Sequence, residues 1–283
     1  MKPLLAHTYE EHRINWNERV WLQPKLNGVR ALSQAGDFQS RDELPWERGV
    51  LQHLSAFMRD AFPPDWVLDG ELYVHGWPLQ KINGAIAVNL KNGRDDSHLV
   101  EYHIFDRVSW QSNFESRFFD LMKYKGLFGK DTPVKVVDTI LAGSPQDADD
   151  FYAVQVGRGY EGIMYRLGDC PYTRPKQEGA SGRSKFLSDK NNRVWHMLKR
   201  KDWHDDEFEC IGVDEGLGKR AGKAGALVCR LASGKTFGVG SGLTDAEAEL
   251  YLNDPPVGRK VKVKYLCLTS DGIPFNPTVI AVL

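Results

Sequence analysis

The sequence predicts an α+β domain with antiparallel sheets, followed by a smaller all-β domain. Three observations support this prediction. The 283 residues exceed the usual length of one domain and suit two. As far as Trp203, short β-type runs are mixed with a few helical stretches. Beyond Trp203, short strands at regular spacing are separated by glycines. We therefore place the domains at residues 1–203 and 204–283, with the boundary near Trp203–Asp206.

Apolar runs and alternation predict the strands of the first domain. These strands are Val67–Val74, Tyr102–Val108, Val134–Ile140, Gly162–Leu167 and Trp195–Lys201. The clearest helix is predicted over Trp46–Phe62, because its apolar residues recur at helical spacing along one face. Those apolar residues are Val50, Leu51, Leu54, Phe57 and Met58.

The second domain is predicted to consist almost entirely of strands. They are Glu207–Glu215, Ala226–Leu231, Thr236–Val239 and Val261–Leu268. A glycine-rich segment, Gly216–Gly225, follows the first strand, and one brief helix is predicted over Asp245–Leu252. Short strands with a single helical insert predict a small closed barrel of the OB-fold type.

The composition is that of an ordinary globular protein. An apolar share of 41% and a charged share of 27% exclude a disordered or fibrous chain. The net charge is only −1, yet the stretch Arg174–Lys201 holds nine Lys or Arg residues against two acids. One face of the protein can therefore be strongly basic.

The cysteines and the amino-terminal segment bear on the compartment. Cys170, Cys210, Cys229 and Cys267 form no CxxC pair, which argues against a zinc site and a disulfide scaffold. The segment Met1–Trp16 lacks the apolar core of a signal peptide, and no segment approaches the roughly 18 apolar residues of a membrane span. We therefore expect a soluble protein of the reduced cytoplasm, or of the host cytoplasm if its origin is viral.

The most informative segment is Gln23–Arg30, in which Gly28 follows Lys25 at a spacing of three residues. A lysine at the end of a strand can act as a nucleophile, and a glycine lets a ligand approach the backbone. Taken alone, the same pattern also fits an exposed lysine beside a hairpin. Further motifs are needed to choose between these interpretations.

Five further segments follow in chain order. They are Ser40–Arg41, Asp69–Tyr73, Tyr102–Asp106, Glu161–Arg166 and Leu198–Lys201. Together with Lys25 and Gly28, this ordered set resembles the nucleotidyltransferase motifs of ATP-dependent DNA ligases and their mRNA-capping relatives. The resemblance covers roughly residues 2 to 275 and is greatest to the minimal two-domain ligases of bacteriophages and some bacteria. It implies an antiparallel-sheet nucleotidyltransferase (adenylation) domain followed by an OB-fold domain.

The resemblance implies a covalent mechanism with Lys25 as the nucleophile. The lysine amine attacks the α-phosphorus of ATP, and the resulting covalent AMP then activates a nick in DNA during replication or repair. The attacking amine must be neutral, whereas an unperturbed lysine is protonated at neutral pH, so burial near other cations and Mg²⁺ would favour the reactive form. The resemblance assigns Lys199 and Lys201 to the α-phosphate, where they would also hold developing negative charge.

The resemblance also assigns the other residues that hold the nucleotide and the metal. It places Glu161 at the metal, since Mg²⁺ prefers hard oxygen ligands. It places Glu71 and Arg30 at the ribose hydroxyls, and Phe105 in a stack on the adenine. Arg41 would lie near the phosphates and the nick. Gln23 stands where relatives often have a Glu that recognises adenine, and its amide can both donate and accept hydrogen bonds.

The predicted DNA contacts are mostly to the phosphate backbone, because a ligase must act on any sequence. Arg183 would contact the 5′-phosphate of the nick. In the second domain the alternation of a predicted strand places Lys260, Lys262 and Lys264 on one face. With Lys219, Arg220 and Lys223 of the glycine-rich segment, these lysines would form one side of a clamp around the nicked duplex. We expect the protein to act as a monomer.

Two features depart from the family pattern. Asn27 stands where the family usually has Asp, which affects lysine activation or the final sealing step. The segment Pro274–Leu283 carries no Arg or Lys, although many relatives end with a basic motif that orients pyrophosphate. Either another basic residue of the second domain substitutes for that motif, or the first step is slow. Met1–Leu22 is too short for an additional DNA-binding domain.

Two other functions remain as alternatives. An RNA ligase or a capping-type guanylyltransferase would share the same motifs. A non-catalytic nick-binding protein would have lost part of the site, with Asn27 as the first sign. The presence of Lys25, Glu71, Glu161, Lys199 and Lys201 favours the ATP-dependent DNA ligase.

Overall fold

The structure is a computed structural model, and it describes residues 2–47, 49–87, 96–129, 131–172, 193–269 and 271–283. The chain divides into two compact units, Met1–Lys201 and Asp202–Leu283. In the described part of the chain, no helix has the length and apolar character needed to cross a membrane.

The first sheet of the amino-terminal unit carries the lysine strands. Its strands, in spatial order, are β1 (Leu5–Thr8), β10 (Arg193–Lys201), β9 (Gly162–Leu167), β2 (Val20–Lys25) and β8 (Ile140–Ala142). All neighbours are antiparallel except β1 and β10, which are parallel. Because β9 lies between β2 and β10, the Lys25 strand and the Lys199–Lys201 strand flank the same central strand.

The second sheet of this unit carries the acidic and aromatic motifs. Its strands, in spatial order, are β4 (Asp37–Ser40), β3 (Val29–Gln34), β5 (Val67–Tyr73), β6 (Glu101–Arg107) and β7 (Val134–Val136). Only the β6–β7 pair is parallel within this described sheet. Strand β3 begins four residues after β2 ends. The turn at Leu26–Gly28 thus links the two sheets next to Lys25.

The helices of this unit are α1 (Gln52–Ala61), α2 (Leu79–Ala85), α3 (Phe114–Met122) and α4 (Pro145–Gly157). Helix α1 is shorter than the predicted Trp46–Phe62. Trp46 precedes it in extended chain and is buried, with its indole Nε1 donating a hydrogen bond to Ile86 O at 2.6 Å. The apolar residues before α1 therefore fill the core without continuing the helix.

The predicted strand Val134–Ile140 is wrong as a single element. The structure splits it into β7 and β8, which belong to different sheets. Between them, Val137 N donates to Ile104 O at 2.8 Å, and Thr139 Oγ1 donates to Val137 O at 3.0 Å. These bonds turn the chain from one sheet to the other, which a continuous apolar pattern does not reveal.

The carboxy-terminal unit is built on one five-stranded antiparallel sheet in its described residues. Its strands, in spatial order, are β13 (Thr236–Val239), β12 (Ala224–Arg230), β11 (His204–Glu215), β14 (Lys260–Tyr265) and β17 (Thr278–Val282). A short hairpin pairs β15 (Cys267–Leu268) with β16 (Pro274–Phe275). Helix α5 (Asp245–Asn253) begins with a capping box between Thr244 and Glu247.

Among the described residues, the sheet of the carboxy-terminal unit is not closed into the predicted barrel. Among the described residues, an isolated bridge between Ser241 and Thr278 is what joins the segment after β13 to β17. Gly242 follows that bridge with a φ of +94°, and a Cβ there would lie 2.3 Å from Val279 O. The chain turns away at this close contact, so a continuous ladder does not form. A partly open sheet of this kind is still typical of an OB-fold.

Candidate active site

Strand pairing brings Lys25 and Glu161 together. Lys25 ends β2 opposite Gly162, the first residue of β9, and Glu161 N donates to Lys25 O at 3.0 Å. Gly162 has a φ of +149°, and a Cβ there would lie 2.1 Å from Arg200 O. Only glycine admits β10 this closely. As a result, Lys201 of β10 reaches the same point as Lys25.

The Glu161 carboxylate bridges two lysines. Its Oε2 accepts a hydrogen bond from Lys25 Nζ, and its Oε1 accepts one from Lys201 Nζ at 2.8 Å. The three side chains are 9–19% exposed. Burial alone would raise the pKa of Glu161, but the charge of Lys25 and the hydrogen bonds from both lysines lower it below its ordinary value. Glu161 is therefore a shared anionic partner for the two ammonium groups.

Lys199 lies two residues before Lys201 on the same face of β10. Burial lowers its pKa, and the positive charges of Arg193, Lys201 and Lys25 lower it further, to about 8. Lys199 is thus a cation at neutral pH that loses its charge at mildly alkaline pH.

A pocket opens beside this cluster. Its lining residues are Leu5, Ala6, Pro24, Lys25, Leu26, Arg30, Arg41, Glu71, Phe105, Met164, Arg166, Arg193 and Lys199. Six of the residues predicted from the sequence lie in this lining: Lys25, Arg30, Arg41, Glu71, Phe105 and Lys199. Glu161 adjoins the pocket through its contact with Lys25, and Lys201 in turn contacts Glu161. The pocket combines an apolar surface with several cationic groups, which suits an aromatic anion.

Arg30 is held in place by a buried carboxylate. Its Nε and Nη2 donate to the two oxygens of Asp69 at 2.7 and 2.6 Å, and Nη2 also donates to Leu4 O at 3.0 Å. Tyr172 Oη donates to the same carboxylate at 2.8 Å, and Asp69 is fully buried. This bidentate pair fixes the guanidinium at the pocket wall. Sequence reasoning did not assign roles to Asp69 or Tyr172; the buried acid within the Asp69–Tyr73 motif was the available signal.

Glu71 titrates near neutrality. Burial raises its pKa to about 7, although the charges of Lys25 and Arg30 oppose the shift. Its neighbour across the sheet explains the glycine of the lysine motif. A Cβ on Gly28 would lie 2.3 Å from Leu72 O and 2.8 Å from the Glu71 Cγ. The sequence suggested that Gly28 admits a ligand; in this structure it admits strand β5, and with it Glu71.

Gln23 lies behind the pocket and does not line it. Its side chain is only 1% exposed. The amide Nε2 donates to Phe105 O and to Thr139 Oγ1, both at 3.0 Å, while Oε1 accepts from Arg166 Nε at 3.1 Å. All of its donor and acceptor groups are thus engaged within the protein. The structure places Gln23 as a support for Phe105 and Arg166, and its contact with adenine stays a prediction.

Arg166 is a pocket residue that sequence reasoning missed. Its Nη1 donates to Asp106 Oδ2 at 3.2 Å, and Asp106 also accepts two hydrogen bonds from Arg117 at 2.8 and 3.0 Å. The Arg166 and Arg30 guanidinium carbons lie 5.3 and 4.8 Å from the centre of the Phe105 ring. The ring is therefore flanked by two fixed cations. The signal was an arginine at an otherwise apolar position of a buried strand.

Arg41 and Arg183 complete the predicted residues of this unit. Arg41 lies at the rim of the pocket with a 59% exposed side chain, 3.8 Å from the carboxylate of Asp42. Its exposure leaves it able to reach a phosphate. Arg183 lies outside the described residues.

The basic strand of the carboxy-terminal unit faces an acidic strand. Across the β14–β11 ladder, Lys260, Lys262 and Lys264 stand opposite Glu209, Glu207 and Asp205, respectively. Lys262 Nζ lies 2.7 Å from Asp205 Oδ2, and Lys264 Nζ lies 4.8 Å from the centre of the Trp203 ring. The predicted cationic face is therefore matched by acids, which weakens its expected attraction for DNA. Lys219 and Arg220 lie elsewhere, in the loop between β11 and β12.

The described residues contain no cluster of three or more His, Cys, Asp or Glu side chains placed to hold a metal ion. Glu161 and Glu71 are the carboxylates beside Lys25. A site with two carboxylates still suits Mg²⁺, which usually takes its other ligands from phosphates and water.

The sequence is similar to those of known DNA ligases. Residues 215–282 match the family model of the DNA ligase OB-like domain. The chain is 26% identical over 271 residues to a DNA ligase of Haemophilus influenzae, covering 96% of this chain and 88% of that protein. It is 30% identical over 234 residues to a DNA ligase of African swine fever virus, covering 76% of this chain and 49% of the viral protein.

Solved structures share the fold over the whole chain. A Lig E DNA ligase superposes with a TM-score of 0.79 at 21% identity, covering 100% of this chain and 99% of the other. A Chlorella virus DNA ligase-adenylate gives a TM-score of 0.53 at 21% identity, with 100% and 98% covered. The ATP-dependent DNA ligase of bacteriophage T7, in complex with ATP, gives 0.51 at 14% identity, with 100% and 98% covered.

Proposed function

We propose that this chain, which belongs to the DNA ligase family, uses ATP to join the 3′-hydroxyl and 5′-phosphate at nicks in duplex DNA through a covalent adenylate on Lys25. One observation carries the proposal: Lys25, Glu161 and Lys201 form a contiguous cluster at the wall of a pocket that also holds Lys199 and Phe105. A buried nucleophile beside fixed cations and an aromatic wall matches the needs of nucleotidyl transfer.

The first step forms a bond between the Lys25 nitrogen and the α-phosphorus of ATP, while the bond from that phosphorus to pyrophosphate breaks. Lys25 is paired with Glu161, so this pair must open before the amine can attack. The negative charge of the α-phosphate would draw Lys199 and Lys201 toward the phosphate oxygens. Glu161 is the residue that would hold Mg²⁺, which supplies additional positive charge to the phosphates when bound.

The nucleoside would occupy the pocket beside the lysines. Phe105 offers an aromatic face to the adenine, and Gln23 and Arg166 hold that residue from behind. Arg30 and Glu71 border the position proposed for the ribose hydroxyls. Because Arg30 is fixed by Asp69 before any ligand binds, the ribose contact needs little rearrangement.

The later steps transfer AMP to the 5′-phosphate of the nick and then release it. In the second step the bond from phosphorus to Lys25 breaks as a phosphate oxygen takes its place. In the third step the 3′-hydroxyl oxygen attacks the 5′-phosphorus, and AMP leaves. Arg41 at the pocket rim would contact the 5′-phosphate, and Lys199 would hold the AMP phosphate during both transfers.

The proposal extends to the state of the protein. We propose that it acts as a monomer in the cytoplasm. None of its four cysteines, all of which the structure describes, forms a disulfide, which is typical of proteins in a reducing compartment. Sedimentation of the protein at increasing concentration tests the monomer, which predicts a constant mass near 32.0 kDa.

Labelling by nucleotide tests the first step. The protein is incubated with α-labelled ATP or GTP and Mg²⁺, and acid-stable label on the protein is measured. We expect label from ATP that Lys25→Ala abolishes and that Lys123→Ala, at a 71% exposed lysine of the same unit, leaves unchanged. Label from GTP alone would indicate a capping-type enzyme, and no label from either nucleotide would refute the covalent mechanism.

Single-turnover sealing tests the remaining steps. Protein that already carries AMP is mixed with a nicked DNA duplex without free ATP, and the joined strand and released AMP are measured. We expect equal amounts of both products. Joining of nicks that have RNA on both sides, with no joining of DNA nicks, would assign the protein to RNA.

A further inference from the structure

Two buried cysteines lie opposite each other in the sheet of the carboxy-terminal unit. In the antiparallel ladder between β11 and β12, Cys210 pairs directly with Cys229. Side chains of directly opposite residues project from the same face of a sheet. Both cysteines belong to the apolar core of this unit and have no exposed surface. The two thiols are therefore neighbours in a place that solvent does not reach.

The backbone hydrogen bonds of Cys210 show which kind of cross-strand pair this is. Its N donates to Arg259 O at 2.9 Å, and its O accepts from Gly258 N at 2.8 Å. Both groups thus point away from β12, which makes Cys210 and Cys229 a non-hydrogen-bonded pair. In such a pair the opposite Cα atoms lie about 4.5 Å apart and the side chains approach most closely. A disulfide needs Cα atoms about 4.4–6.8 Å apart, so a bridge here requires little movement of the backbone.

Local features favour Cys210 as the thiol that reacts first. The register of the β11–β12 ladder shifts between Cys210 and Gly212, so the pairing is already irregular beside this residue. Burial raises the pKa of Cys210, while burial and the nearby charge of Cys210 raise the pKa of Cys229 to about 12. The thiolate is the nucleophilic form of cysteine. Cys210 is therefore the easier thiol to deprotonate when the ladder opens locally.

We propose that Cys210 and Cys229 form a redox-sensitive modification site, in which hydrogen peroxide converts the two thiols into a disulfide between β11 and β12. The Cys210 thiolate attacks one peroxide oxygen, the O–O bond breaks, and hydroxide leaves, which gives a sulfenic acid on Cys210. The Cys229 thiolate then attacks the Cys210 sulfur and displaces a second hydroxide. The two thiol protons convert both hydroxides into water. The cysteines thus lose two electrons, and peroxide gains two.

The other two cysteines are placed differently. Cys267 stands opposite Phe275 in the hairpin of β15 and β16, and Cys170 belongs to a core of the amino-terminal unit. Neither Cys210 nor Cys229 lines the pocket beside Lys25, so this site is separate from the residues proposed to react with ATP. In a reducing compartment the pair would stay as thiols, and the bridge would form when peroxide exceeds the reducing capacity.

The bridge should stabilise the carboxy-terminal unit. It would close a loop that contains residues 211–228. This closure restricts the unfolded chain more than the folded chain, because the ladder already holds the two cysteines together in the folded state. For a loop of this length the equilibrium constant for folding should rise about a hundredfold.

Treatment of the whole protein with hydrogen peroxide, followed by mass spectrometry of its peptides, tests the chemistry. We expect two of the four thiols to be lost and one linked pair of peptides, which contain Cys210 and Cys229, to appear. Cys229→Ala should give no link and should leave a sulfenic acid on Cys210 that dimedone traps. Cys170→Ala, at another buried cysteine, is the matched control and should keep the link. Sulfinic acid on Cys210 and Cys229 without a link would overturn the proposal.

An equilibrium measurement removes the dependence on how fast peroxide reaches the buried thiols. The protein is equilibrated in mixtures of reduced and oxidised glutathione, with and without enough urea to unfold it, and the linked fraction is measured. The effective concentration of one thiol toward the other should be about a hundredfold higher in the folded protein than in the unfolded protein. Urea denaturation of the linked protein should show the same factor, because the two quantities are thermodynamically linked. Equal effective concentrations in the two states would refute the proposal.

Discussion

Two strands of this protein carry lysines at alternating positions, and their surroundings give those lysines opposite properties. On β10, Lys199 and Lys201 lie beside Lys25, and Glu161 is the carboxylate that bridges Lys201 and Lys25. On β14, Lys260, Lys262 and Lys264 each stand opposite a separate acid of β11. The lysines of β10 concentrate positive charge beside a partly buried pocket. The lysines of β14 are exposed, and the acids of β11 neutralise their charge.

The difference shows that the side chains of the neighbouring strand determine how strongly a set of lysines attracts phosphate. Buried cations that outnumber their acids retain a strong attraction for phosphate, because little water screens them. Exposed pairs contribute little to stability and offer little net charge to a partner. Alternation in a sequence identifies the shared face of such lysines, but it says nothing about the residues across the ladder.

The largest expected effect comes from the shared carboxylate. Glu161→Gln should lower the rate of Lys25 labelling by ATP by about a hundredfold or more, because the amide no longer holds the two ammonium groups in place or binds the metal. The control is Glu115→Gln, at an acid of similar exposure that pairs with Arg19 at 2.8 Å. A Glu161→Gln rate within about twofold of the natural rate would remove Glu161 from the site.

Gln23, which lies behind the pocket, should affect the stability of the protein as well as its binding of ATP. Gln23→Ala leaves Arg166 Nε and the Phe105 carbonyl without their partner in a buried place, so the free energy of unfolding should fall by about 1–3 kcal/mol. Urea denaturation of the variant measures this change, with Gln34→Ala as a control at an exposed glutamine. If Gln23 instead contacted adenine directly, stability would be preserved and the KM for ATP would rise.

The pH dependence of ATP binding should report on Lys199. Its pKa is about 8, so the side chain is charged below that pH and neutral above it. Loss of this charge should raise the KM for ATP about tenfold between roughly pH 7 and pH 9. Lys199→Arg stays charged throughout this range and should abolish the rise. A natural protein and a Lys199→Arg variant with the same pH profile would exclude Lys199 as the titrating group.

The smallest expected effect is that of a substitution in β14, where the lysines stand opposite acids. Lys262→Ala should change the Kd for nicked duplex by less than about twofold and leave its salt dependence unaltered, because Asp205 and Glu207 already balance the charge. Binding at a series of salt concentrations provides the measurement. A salt slope lower by about one unit would instead make β14 part of the DNA interface, as the sequence alone predicted.

The sequence predicted much of the candidate site because the chemistry requires particular residue types in a particular order. Lys25, Arg30, Arg41, Glu71, Phe105 and Lys199 were chosen from motifs, and the fold brings them around one pocket. Their catalytic roles stay predictions. What motifs could not provide was the set of supporting contacts. The hydrogen bonds between Asp69 and Tyr172 and between Gln23 and Arg166 join residues far apart in the chain.

Strand register explains the other differences. The alternation of Lys260, Lys262 and Lys264 is visible in the sequence, but their acidic partners are fixed by how β11 pairs with β14. The division of residues 134–140 between two sheets depends on the hydrogen bonds that Val137 donates to Ile104 and accepts from Thr139, and these bonds are not visible in the apolar pattern. The absence of a continuous ladder between the segment after β13 and β17 likewise follows from one close contact, between Gly242 and Val279 O.

The bridge formed by Glu161 makes the behaviour of two lysines interdependent. An anion that draws Lys201 away without a metal ion leaves the whole carboxylate to Lys25, and so stabilises the pair that must open before the amine attacks. Mg²⁺ bound with ATP would instead take up the carboxylate and release both lysines. Thermodynamic linkage makes this effect reciprocal: a Lys25 that has become neutral by acquiring AMP returns Glu161 entirely to Lys201. Inorganic phosphate alone should therefore lower the rate of Lys25 adenylylation. Completion of that reaction should itself change the net charge of the site before DNA binds.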